Sequence, residues 1–321
     1  MNAANFIETK YNKPFIIQRA DPYVYKDDKL GYLFTASVPD YDRIVLRKSD
    51  TLDGLSTAEE ITVWERHEEG IMSIHVWAPE IHCIDNKWFI YFAAGDEDDI
   101  WAIRPYVLEC TGTDPLKDPW IERGLLQAAD PFTFQDFSLD MTVFEHLGKM
   151  YCIWAEKVSV GKKISNLYIA EMESPVKLST GQILLSSPDY DWERVDFWVN
   201  EGPAVLKHDG KIYLTYSASA TGTCYCIGML SIDGTEELLN PRAWKKERLP
   251  VVKTDWEKGM LGPGHNSFTK TEEGEEVMFY HARQYDEIEG DPLYDPNRHT
   301  YRMKVLWDKI GRPVFDFVNN F

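Results

Sequence analysis

The feature that most constrains this chain is an internal repeat. A polar anchor, a tight turn and a Tyr/Phe/Trp-rich strand recur together five times, at Ala20-Asp21-Pro22, Ala78-Pro79-Glu80, Leu139-Asp140-Met141, Glu201-Gly202-Pro203 and Gly264-His265-Asn266. The anchors Asp21, Glu80, Asp140, Glu201 and His265 lie 59, 60, 61 and 64 residues apart. A unit of about sixty residues suits the four strands and loops of one propeller blade. Five units consume nearly all of the 321 residues. The expected fold is therefore all-β, a five-bladed β-propeller forming a single domain over residues 1–321.

Local signals agree with hairpins. The turns Asp85-Asn86-Lys87, Leu147-Gly148-Lys149, Asp209-Gly210-Lys211 and Glu273-Gly274-Glu275 supply the Gly or Asn that a tight hairpin needs for positive φ. Outer strands are expected in Arg43–Arg47, Trp101–Cys110, Ser165–Met172 and Cys224–Leu230, and after Arg283 in Arg302–Trp307 and Pro313–Phe315, which would also close the ring with the N-terminus. Helical periodicity is scarce, with room for one short turn between Asp53 and Trp64.

Composition excludes several function classes. A formal charge of −19 opposes nucleic acid and anionic membrane, because both recruit Lys/Arg clusters. No window approaches the roughly 18 apolar residues of a membrane span. The first ten residues carry neither a basic n-region nor an apolar h-region, from which a cytoplasmic protein is expected. Five cysteines without a CxxC pair argue against a disulfide framework or a zinc site. Cys224 and Cys226 are expected on one face of a strand, packing rather than reacting. The 11 Trp, 17 Tyr and 15 Phe suit strand cores and also the apolar faces of sugars.

In a propeller the innermost strand of every blade lines the channel, so anchors sixty residues apart converge on one axis. Four acids and a histidine gathered there would repel unless paired, protonated or metal-bound, which a purely structural protein has no use for. Glycosidic hydrolysis does use such a set: one carboxylic acid protonates the departing oxygen and another activates water, and a separation of about 6.5–9.5 Å predicts inversion.

The motifs Ala20-Asp21-Pro22, Trp77-Ala78-Pro79-Glu80, Ser138-Leu139-Asp140, Asn200-Glu201-Gly202-Pro203 and Gly262-Pro263-Gly264-His265-Asn266-Ser267, in that order and spacing, resemble glycoside hydrolase family 43 over essentially the whole chain. The resemblance implies Asp21 as the general base, Asp140 as the residue that tunes the acid and positions the sugar, and Glu201 as the general acid. A neighbouring Asp140 would raise the pKa of Glu201, while Asp21 would stay ionised in a wetter setting. The bland alternative for Asp21 and Asp140 is capping of blade backbone. By the same resemblance His265 is an axial histidine facing a hydrated calcium or another ion in the channel, against the alternative of a hydrogen-bonded core histidine. Trp77 and Arg283 are implied in the sugar-binding shell; Trp77 could equally wall the core and Arg283 pair with an acid such as Glu80. Glu80 itself sits where a substrate contact could form, and His75, His82, His281 and His299 are left unassigned.

Within that family the run Leu261–Phe268 and the absence of an added β-sandwich domain resemble arabinofuranosidases. The expected activity is exo-acting, inverting α-L-arabinofuranosidase, taking terminal arabinofuranose from small arabino-oligosaccharides. The alternatives are β-xylosidase and a non-catalytic sugar-binding propeller. No organic cofactor is expected, and the oligomeric state is not readable.

Overall fold

The computed structural model describes residues 7–158 and 164–321. Blade 1 comprises Ala20–Asp27, Gly31–Ser37, Arg43–Ser49 and Glu60–Glu65, each antiparallel to the next. Blade 2 follows with Ile71–Ile84, Lys87–Asp96, Asp99–Cys110 and Trp120–Leu125. In blade 3, Ser138–His146, Lys149–Val158 and Ile164–Ser174 pair in order, and two short strands, Lys177–Leu178 and Ile183–Ser186, share the outer edge. Blade 4 is Trp198–His208, Lys211–Ala218, Cys226–Asp233 and Lys245–Lys246. Blade 5 has three strands, Leu261–Lys270, Glu276–Arg283 and His299–Lys304.

The N-terminus completes blade 5. Phe15 N donates to Thr300 O at 2.8 Å, and Thr300 N returns a bond to Ile16 O at 2.9 Å. Joining the last blade with the first segment of chain closes the ring as expected and removes an exposed strand edge. The hairpin turns also form as read: Asp85-Asn86, Leu147-Gly148 and Asp209-Gly210 are each a pair of positive-φ residues. Among the described residues the helical segments are single 3-10 turns, the first at Asp53–Ser56.

Burial runs between blades rather than within one central core. Leu33, Ile44 and Leu46 of blade 1 pack on Ile81, Ile90 and Phe92 of blade 2. Tyr91 meets Trp154 of blade 3 in the next interface, and Ile153 and Leu167 meet Leu214 and Tyr216 of blade 4 in the one after. Tyr213 and Met229 pack on Met278 and Tyr301 of blade 5, and Phe279 returns to Phe34 of blade 1. Five apolar interfaces thus close a circle, which fits the aromatic-rich strands to the wedge-shaped spaces between twisted sheets. One expected strand starts late: Cys224 lies in the turn before Cys226–Asp233, so the two thiols do not share a strand face.

The inner strands all bulge at one place. Ala20 and Tyr23 face Ser37 and Thr35, so three steps on the inner strand oppose two on its neighbour. The same count holds for Trp77 to Glu80, Leu139 to Thr142, Glu201 to Ala204 and Gly264 to Ser267. The second residue of each bulge, Asp21, Ala78, Asp140, Gly202 and His265, has positive φ, between 41° and 56°. A bulge of this kind turns one side chain away from the sheet and toward the channel mouth. The equivalence differs from that expected. Asp21, Asp140 and His265 share a position, whereas Glu201 stands one residue earlier and Glu80 two later.

Candidate active site

A cavity of about 600 Å³ opens at the channel mouth, and Asp21, Asp140, Glu201, His265 and Trp77 all line it. Its rim is formed by Asp99 and Trp101 at the start of the third strand of blade 2, Asp136 and Phe137 before blade 3, and Asp291 and Leu293 after Arg283. The segments Gly95–Ile100 and Tyr285–Asp291 carry no periodic pattern, and only the fold shows what they enclose.

Asp21 is buried, not wet as expected. Burial would raise its pKa, but His265, Arg298 and His281 more than offset that and hold the carboxyl well below the usual range. His265 Nδ1 lies 3.4 Å from Asp21 Oδ1, Arg298 Nη1 3.6 Å and His281 Nδ1 3.2 Å. Ser37 Oγ donates to Asp21 Oδ2 at 2.5 Å while accepting the Ala78 N–H at 2.8 Å. The positive-φ amide of blade 2 thereby orients the hydroxyl that holds the blade 1 carboxylate.

Glu201 has the opposite setting. Burial first and the neighbouring Asp140 second push it up to about 8. Asp140 is raised too, by burial, although His265, with Nδ1 3.7 Å from Oδ2, opposes this. Gly202 N, the amide of the blade 4 bulge, donates to Asp140 Oδ2 at 2.9 Å, so the two carboxyls are joined through backbone. His265 itself would be lowered by burial, but Asp140, Asp21 and Glu201 raise it above the ordinary imidazole value. It stands among carboxyls that favour its protonated form.

Trp77 walls the cavity. His75 stacks on it with centroids 4.5 Å apart, Tyr41 meets it edge-on at 5.7 Å, and its buried Nε1 has no protein hydrogen-bond partner. Its apolar ring face on the cavity suits a sugar ring. Arg283 is placed elsewhere. Its guanidinium is 1 % exposed and holds the Thr221 and Pro292 carbonyls at 2.6 and 2.5 Å, with Asp295 Oδ1 at 3.4 Å. It ties two rim segments together and does not line the cavity. Arg298 takes the cavity position instead, between Asp21 and the hydroxyl of Tyr41. Nothing in Asn297-Arg298-His299 marks it in sequence. Glu80 turns below the mouth, where its Oε2 pairs with His82 Nε2 at 2.9 Å. Its partner is His82 rather than Arg283.

The model of glycosyl hydrolases family 43 matches residues 11–313. The chain belongs to that family. It is 48% identical over 306 residues to an extracellular exo-α-(1→5)-L-arabinofuranosidase of Streptomyces avermitilis, covering 95% of this chain and 63% of that protein. A protein of the same name from Streptomyces chartreusis is 47% identical, covering 88% of this chain and 85% of its own length. The chain thus spans under two thirds of the first relative and most of the second. The crystal structure of an α-L-arabinofuranosidase from Lactobacillus brevis superposes with a TM-score of 0.90 at 46% identity, over 97% of this chain and 96% of the other. These family 43 relatives overturn the cytoplasmic expectation, since two are named extracellular. That expectation rested on ten N-terminal residues.

Proposed function

We propose that the chain is an exo-acting, inverting α-L-arabinofuranosidase that removes terminal arabinofuranose from arabino-oligosaccharides. The observation that carries the reading is a pair of buried carboxyls held in opposite protonation states across one cavity: Asp21 ionised on blade 1 and Glu201 pushed up to about 8 on blade 4. These blades are not neighbours in the ring, which supports the wider carboxyl spacing of inverting enzymes.

In this reading Asp21 accepts a proton from water as its oxygen attacks the anomeric carbon. Glu201 gives its proton to the glycosidic oxygen as that bond breaks. Both groups then return to their starting states by exchange with solvent. Asp140 keeps Glu201 protonated by its charge, and His265 and Arg298 balance the negative charge on Asp21. A site that only bound sugar would gain nothing from one carboxyl held protonated beside another held ionised, which counts against the non-catalytic alternative.

Substrate choice is supported by the relatives' names at 41–48% identity. A solved xylan β-1,4-xylosidase from Bacillus halodurans, at 16% identity, shares the fold alone. Side-by-side hydrolysis of p-nitrophenyl α-L-arabinofuranoside and β-D-xyloside tests the reading, with preference for the xyloside counting against it. Glu201→Gln is expected to lower the rate by about 10²–10⁴-fold, and an unchanged rate would return the protein to a binding role.

A calcium or other ion beside His265 is carried on as a proposal in limited form. His265 turns Nδ1 to Asp21 and Asp140, and among the described residues no group of three or more His, Cys, Asp or Glu is placed to hold a metal. The residues do not fit a directly ligated ion, and an ion there would be held through water.

A further inference from the structure

The carboxyl of Glu201 accepts from the Tyr225 phenol, which lies beside a serine held from the next blade. His265 N, the amide of the blade 5 bulge, donates to Ser217 Oγ at 2.6 Å. Ser217 is the cross-strand partner of Glu201, and its side chain stands beside the Tyr225 phenol and eases the upward push that burial puts on it. Tyr225 in turn donates to Glu201 Oε1 at 2.7 Å. A main-chain N–H can only donate, so Ser217 Oγ accepts from it and keeps its own proton for another partner.

The phenol is also locked in place. Tyr225 is 1 % exposed, and its ring lies parallel to that of His281 at 3° and 5.6 Å. His281 is the residue whose Nδ1 faces Asp21, so one stacked pair connects the two ends of the site. The same arrangement occurs on blade 1, where the Ala78 amide orients Ser37, which donates to Asp21. Ser37, Ser217 and His281 occupy the same register position, opposite Ala20, Glu201 and Gly264.

We propose that Tyr225 is the positioning residue of the general acid: its hydroxyl, beside that of Ser217, occupies Oε1 of Glu201 and leaves the transferable proton on Oε2. A carboxyl has two oxygens, and a proton on the wrong one must move or the side chain must rotate before it reaches the leaving oxygen. Fixing Oε1 as an acceptor removes that choice. The inference rests on the reading of Glu201 as the acid.

Tyr225→Phe tests it, since the ring and its stack on His281 stay while the donor goes. Loss of a donor to the carboxylate raises the pKa of Glu201, so the alkaline limb of kcat/KM is expected to move up by about one pH unit. At the optimum, kcat is expected to fall about tenfold with KM little changed, and to fall more for natural arabino-oligosaccharide than for a nitrophenyl glycoside that needs less protonation. Ser217→Ala, which removes the hydroxyl beside the phenol, should shift the limb the same way by less, and serves if Tyr225→Phe does not fold. An alkaline limb that stays at its wild-type position in the folded variants overturns the inference, whatever happens to the rate. Glu201→Gln separates the two failures. If that variant keeps its rate, the acid assignment falls; if it collapses while the limb of Tyr225→Phe stays in place, only the role of Tyr225 falls.

Discussion

Asp140→Asn separates the two forces that keep Glu201 protonated. Burial is the larger and the charge of Asp140 the second. The substitution leaves the burial and keeps a side-chain oxygen to accept the Gly202 N–H, which now reaches Asp140 Oδ2 at 2.9 Å. What it removes is one negative charge on the neighbouring inner strand. Unit charges about 6 Å apart in an effective dielectric of about 20 repel by ~3 kcal/mol, or about two pH units. The alkaline limb of kcat/KM should therefore drop from near 8 to near 6. The sign follows from the acid's role, since activity needs the protonated form and is lost as pH rises through its pKa. At pH 7 the protonated fraction would fall from roughly nine tenths to one tenth, a tenfold loss by ionisation alone, while at pH 5 that contribution vanishes. The assay is the pH profile of kcat/KM on an arabinofuranoside. A limb that does not move, or moves up, would refute the account of Asp140 as the acid's electrostatic partner.

Gly202→Ala places a Cβ 3.1 Å from Cγ of His265, at a φ of +54°. The strain should cost about 1–3 kcal/mol, visible as a melting temperature lower by several degrees, with activity reduced because His265 is pushed from between Asp21 and Asp140. A variant with wild-type melting and kcat would show that the bulge has room to relax. Removing a water-held ion beside His265 with a chelator should lower the melting temperature and leave the pH limbs in place, as no proton transfer runs through it. A treated protein with unchanged melting counts against the ion.

Much of the fold was legible because a propeller repeats. Period-2 strands, Asp-Gly and Asp-Asn turns and a sixty-residue spacing are all local or periodic signals, and each found its place. The pattern was misread by one or two residues in the inner strands. A bulge adds a residue without changing composition, so Glu201 and Glu80 look equivalent to Asp21 when they are not. Arg283 and Arg298 show the other limit. Both are arginines near the end of blade 5, and which one reaches the cavity depends on the course of the irregular connection between them. Tyr225 sat unremarked between two cysteines, since a phenol that aims a carboxyl looks in sequence like one more strand aromatic.

By itself the sequence determined the number of blades, the hairpins that build them and the set of ionisable residues that could meet at the channel mouth. Those follow from period and residue type, which a linear chain displays directly. Only the tertiary structure decided how the set is wired. The protonation states of Asp21 and Glu201 arise from burial and from charges brought in from other blades, His265 and Arg298 above all. The amides that aim Ser37 and Ser217 belong to bulges on the next blade around the ring. Such effects depend on distances between residues from 41 positions apart upward, and those distances exist only once the ring has closed.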